Sequence, residues 1–114
     1  MRVMIRAAIG LCTGLAAVAA MAAEPIEGNW KTASGETAAI AECRGSFCIT
    51  VKSGRYAGKA IGRLEGSGGS YEGTITDPAD DKTYNGSGTV SGDTLRLKGC
   101  MLKVLCKSQT WTRL

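Results

Sequence analysis

The chain has 114 residues, with 14 Lys and Arg against 10 Asp and Glu, 44% apolar residues and six aromatics. It holds no histidine, which excludes Ser–His and Cys–His nucleophile pairs and His-ligated metal sites. This length allows one small domain.

Arg2 and Arg6 open the chain, an apolar, alanine-rich run fills residues 7–19, and Ala20-Met21-Ala22 supplies small residues. This is the three-part layout of a secretory signal. Residues 1–22 are therefore expected to be a cleaved signal peptide and residues 23–114 the folded domain. An uncut membrane helix is the rival reading, but only about 17 apolar residues are present where a span needs roughly 20. Cys12 follows Leu11 rather than a small residue, so it is expected to leave with the leader instead of carrying a lipid. Without Arg2 and Arg6 the balance is twelve bases to ten acids, a net charge of +2, which argues against nucleic acid as a partner. The expected location is the periplasm or the exterior, with no stable membrane insertion after cleavage.

Beyond the leader no segment keeps apolar residues at helical spacing over three turns. Short alternating runs broken by glycine recur instead, the pattern of antiparallel strands. They predict strands at 29–33, 37–43, 47–52, 56–64, 71–76, 83–90, 94–99 and 107–113. Phe47, Ile49 and Val51 share one side of the third; Leu95 and Leu97 oppose Arg96 and Lys98 in the seventh. In the fourth, Tyr56, Gly58, Ala60, Gly62 and Leu64 oppose Lys59 and Arg63. One buried and one wet face per strand, with glycine inward, predicts an all-β fold: a small antiparallel up-and-down barrel of about eight short strands. A flat open sheet is the weaker alternative. Fifteen large aliphatic residues and six aromatics make a thin core for the mature chain, so covalent cross-links are expected.

Cys43, Cys48, Cys100 and Cys106 remain after cleavage, an even number in an exported small domain. Three pairings are possible, and the local pairs Cys43–Cys48 and Cys100–Cys106 are preferred because neither assumes a barrel geometry. A four-thiolate zinc site fits poorly, because the C-x4-C and C-x5-C spacings are looser than zinc knuckles. No metal, cofactor or redox-active pair is expected. The run from Thr76 to Lys82 clusters Asp77, Asp80 and Asp81, but lacks the glycine and distal glutamate of a calcium loop and reads as a turn. Asp77 and Asp80 alone do not define a hydrolytic cleft, so no catalytic residue is assigned.

Charge is unevenly spread. Residues 95–114 hold five bases and no acid, and residues 65–81 hold five acids and no base. The last strand carries the most information, because parity puts Lys107, Gln109, Trp111 and Arg113 on one side. If Trp111 points inward, Gln109 and Arg113 go with it and need polar partners. Arg113 stacked over Trp30 or Trp111 would close the barrel end. Alternatively, Gln109 and Arg113 would hold the polar end of a small anion or amphiphile, with Trp111 and Trp30 beside it.

Gly28-Asn29-Trp30, Asp77-Pro78 followed by Lys82-Thr83-Tyr84, and Gly99-Cys100 leading to Cys106-Lys107-Ser108-Gln109-Thr110-Trp111-Thr112-Arg113 resemble the bacterial family called domain of unknown function 2147. The resemblance implies a small exported protein with a lipocalin-like β-barrel. Lipocalins pair a Gly-x-Trp on the first strand with a late arginine, and Gly28, Trp30 and Arg113 match that arrangement. No activity comes with the family.

The leading expectation is a non-enzymatic binding module for a small apolar or amphipathic ligand, with Gln109, Trp111, Arg113 and Trp30 as its candidate residues. The alternative is a structural or interaction protein of the cell envelope that uses its basic C-terminal surface. Nothing in the sequence sets an oligomeric state.

Overall fold

A computed structural model describes residues 23–101 and 105–114. The expected leader at 1–22 and Lys103 of the basic terminal run lie outside the described residues. The strands, in chain order, are β1 (Gly28–Lys31), β2 (Thr37–Cys43), β3 (Ser46–Val51), β4 (Ala60–Ser67), β5 (Ser70–Asp77), β6 (Lys82–Ser91), β7 (Thr94–Met101) and β8 (Leu105–Arg113). Each pairs antiparallel with its chain neighbour, and β8 pairs back onto β1 to close an eight-stranded barrel. Closure leaves no free sheet edge to template aggregation. The open sheet is thereby excluded.

The up-and-down order sends alternate connections to opposite ends. One end collects the segment before β1, the β2–β3, β4–β5 and β6–β7 turns, and the C-terminus. The other collects the β1–β2, β3–β4, β5–β6 and β7–β8 connections.

The first end is closed. Ile26, just before β1, is fully buried against a core that includes Trp30, Ile40, Phe47, Leu64, Tyr71 and Leu95. The Trp30 indole N–H donates to the Ile26 carbonyl at 2.9 Å, fixing this plug to the first strand. Glu24 ties it across the barrel: its Oε1 accepts from the Tyr71 hydroxyl and from the Gly68 N–H, both at 2.8 Å. Phe47 meets the Tyr71 ring edge-to-face at 5.5 Å, a favoured aromatic geometry.

One element departs from the expected pattern. The fourth strand begins at Ala60, and Tyr56 and Gly58 lie in the turn before it. Ile49 pairs with Gly62 but Thr50 pairs with Ala60, so Ile61 is an extra residue in the ladder. This β-bulge turns Ile61 into the core and leaves Ala60 exposed, the reverse of simple alternation. A long apolar side chain gains more from burial than an alanine methyl, so the bulge improves the core.

The sulfurs of Cys43 and Cys48 are bonded across the β2–β3 hairpin, and those of Cys100 and Cys106 across β7 and β8. These are the two local pairs. Cys100 and Cys106 face each other in register, so the bond joins positions already opposed in the ladder. Such pairs are compatible with an oxidising compartment.

Candidate functional site

The second end of the barrel is hollow, with a cavity of about 370 Å³. Val51, Ile61, Ile75 and Leu97 supply aliphatic wall, and Tyr56, Tyr84 and Trp111 supply aromatic wall. Space exists there because the inner face carries glycine. A side chain at Gly86 would run into Ile75, and one at Gly99 would press on the Tyr84 ring. Those glycines let Ile75 and Tyr84 lie flat against the wall where larger residues would force them across the opening.

β8 presents a graded ladder to this cavity. Lys107, Gln109 and Trp111 all line it, in that order from the rim inward. Trp111 is 3% exposed, while Gln109 and Lys107 are exposed at the mouth. The Trp111 indole N–H donates to Gln109 Oε1 at 2.9 Å. Because an indole nitrogen can only donate, the amide must turn its oxygen to the tryptophan and its NH2 away from it. Lys107 Nζ lies 5.4 Å from the centre of the Tyr84 ring, and the Tyr84 side chain raises the Lys107 pKa above its ordinary value.

The same rim also carries acids: Glu36 and Asp77 line the cavity, and after Tyr84 the charges of Asp77 and Asp80 also raise the Lys107 pKa. Glu36 accepts a 2.9 Å hydrogen bond from Ser34, whose hydroxyl is also 3.1 Å from that of Thr32. Asp77 Oδ1 accepts from the Ala79 N–H, and Asp80 Oδ1 accepts from the Lys82 N–H. Asp81 binds Lys59 at 2.8 Å. The acids of the β5–β6 connection thus build the turn.

The structure separates the four candidate residues into two pairs. Gln109 and Trp111 meet at the cavity. Trp30 and Arg113 meet at the closed end, as register partners on β1 and β8. The Arg113 guanidinium lies 4.2 Å from the Trp30 ring centre and donates to the carbonyls of Pro25 at 2.7 Å and Glu27 at 3.2 Å. Strand parity held for all of β8, yet only the indole of Trp111 is enclosed. Arg113 is at the end of the strand, where its side chain folds over the plug instead of into the hollow. Sequence reasoning passed over Lys107 and Tyr84 as site residues. Lys107 shares parity with Gln109 and Trp111, which was enough to place it on the same wall.

A family model described as "Uncharacterized protein conserved in bacteria (DUF2147)" matches residues 58–113. Over those residues the chain is similar to that family. The DUF2147 match takes in β4 to β8, and with them Tyr84, Lys107, Gln109, Trp111 and Arg113. It begins after Gly28-Asn29-Trp30, so that part of the resemblance lies outside it. No curated protein matches the chain, and no solved structure does.

Proposed function

We propose that this protein is an exported, non-enzymatic binding module that takes a small apolar or amphipathic molecule through the open end of its barrel. The carrying observation is the asymmetry of the interior: one end plugged by Ile26 and Trp30, the other hollow at about 370 Å³. That volume falls within the range of about 300–1,000 Å³ usual for small-molecule sites. Aliphatic and aromatic walls under a polar rim suit a ligand with one apolar end. Export is supported by the leader-like composition of residues 1–22 and by two cysteine pairs that suit an oxidising compartment. A net mature charge of +2 leaves little attraction for nucleic acid.

Native mass spectrometry of protein taken from its own cell envelope is the direct test. A co-purified mass that disappears on organic extraction, and whose return changes Trp111 fluorescence, is the expected result. An empty protein that also fails to change fluorescence with any apolar or amphipathic probe would refute the reading. Arg96 and Lys98, exposed on the outer wall of β7 and without an acid partner among the described residues, favour the envelope-interaction reading as second choice. Salt-sensitive binding to anionic vesicles that survives substitution of Gln109 would support it.

A further inference from the structure

Resting on the binding reading above, we infer that the ligand is a short-chain amphiphile with a carboxylate head, held by Lys107 and Gln109 above a tail in the barrel. Two N–H donors of the cavity wall stand without an acceptor among the described residues. The wall's carboxylates, Glu36 and Asp77, each accept one hydrogen bond from their own connection and keep further acceptor sites. Gln109 Oε1 is held by the Trp111 indole, so the amide offers its NH2, which donates to no other group among the described residues. Lys107 offers an ammonium that forms no ion pair among the described residues and is steadied over the Tyr84 ring. These two donors are neighbours on one face of β8, directly above an aromatic surface. An amide NH2 and an ammonium side by side suit an acceptor-only head, and a carboxylate takes such bonds in the strong, charge-assisted form. Arg113 cannot serve as the anion's partner, because it caps the opposite end. The cavity of about 370 Å³ limits the tail. At about 30 Å³ for each water-sized group it holds roughly a dozen heavy atoms, a chain of about eight to ten carbons with its head.

Titration calorimetry on the oxidised protein, with hexanoate to dodecanoate and the matching primary alcohols, tests this. Octanoate should bind roughly tenfold or more tighter than octanol, the return on one charged hydrogen bond. Affinity should rise about fourfold per added methylene and level off once the cavity is full. Lys107→Met should bring octanoate to within about twofold of octanol while octanol binding holds, which also reports an intact fold. Lys98→Met, which removes the same charge from the outer wall, should keep the preference. If Lys107→Met loses octanol as well, the near-isosteric Lys107→Gln repeats the measurement. Equal affinity for acid and alcohol, or a preference that persists without the Lys107 charge, overturns the head-group assignment and leaves the binding module standing. Failure of both series to bind overturns the module along with it.

Discussion

Replacing Arg113 with alanine separates the role the structure gives this residue from the ligand-holding role that strand parity suggested. Its guanidinium stacks on Trp30 at 4.2 Å, an interaction worth about 1 kcal/mol at a half-exposed site. It also donates to the carbonyls of Pro25 and Glu27, which have no backbone partner among the described residues to fall back on. Hydrogen bonds from a charged donor contribute about 1 kcal/mol each after discounting for partial exposure. The contact with Asp93, at 3.5 Å and with that carboxylate almost fully exposed, adds little. Arg113→Ala should therefore cost about 3 kcal/mol, and Arg113→Lys about half of that, since lysine keeps charge but loses the planar fork. Asp93→Ala should cost less than about 0.5 kcal/mol. Urea unfolding followed by tryptophan fluorescence gives all three values. Acrylamide should also quench Trp30 more readily in Arg113→Ala, because the plug loosens. A stability within about 0.5 kcal/mol of wild type, or a loss as large in Asp93→Ala, would refute the closing role.

Replacing Cys43 and Cys48 by serine, or Cys100 and Cys106, should each cost about 2 kcal/mol by loss of a short closed loop. The two costs should add, because the bonds sit at opposite ends of the barrel; unchanged urea midpoints in reductant would contradict this. For Tyr71, burial first and then its hydrogen bond to Glu24 raise the pKa above the ordinary value of 10.0. The unfolded chain thus gives up this proton first. The contribution is fully present below about pH 10 and lost as pH rises through the higher folded value, so stability should fall over that range less steeply in Tyr71→Phe than in wild type. Identical slopes for the two proteins would show that Tyr71 is not held in its protonated form.

The barrel was legible because its strands alternate strictly where it matters most. Phe47, Ile49 and Val51 are all buried, and so are Leu95 and Leu97, as a period of two requires. The fourth strand was misread because alternation carries no mark of a bulge. Ala60 and Ile61 are adjacent apolar residues, and only the pairing of β3 with β4 decides which of them turns inward. The candidate site was half legible for a similar reason. Parity placed Lys107, Gln109, Trp111 and Arg113 on one face of β8, but parity is silent about depth. Which of them meets the hollow and which meets the plug depends on where the segment before β1 folds back. That is set by Glu24 reaching residues more than forty positions away. No local pattern encodes such a contact.

Depth also explains why binding and stability can be altered separately in this barrel. At the closed end large side chains meet each other: Trp30, Ile26, Phe47, Leu64 and Tyr71. Removing one leaves a cavity the rigid wall cannot fill. At the open end the inner positions include Gly86 and Gly99, and Lys107 and Gln109 on the rim are exposed, so they bury little surface. Changes at Lys107 or Gln109 therefore remove hydrogen-bond donors without removing core. Trp111 is the exception. It lines the cavity on one side, pairs with core residue Leu95 on the neighbouring strand, and stands two residues from Arg113. Strand β8 thus joins the two ends, and Trp111 is the residue where a ligand's contact and the fold's own packing fall on the same side chain.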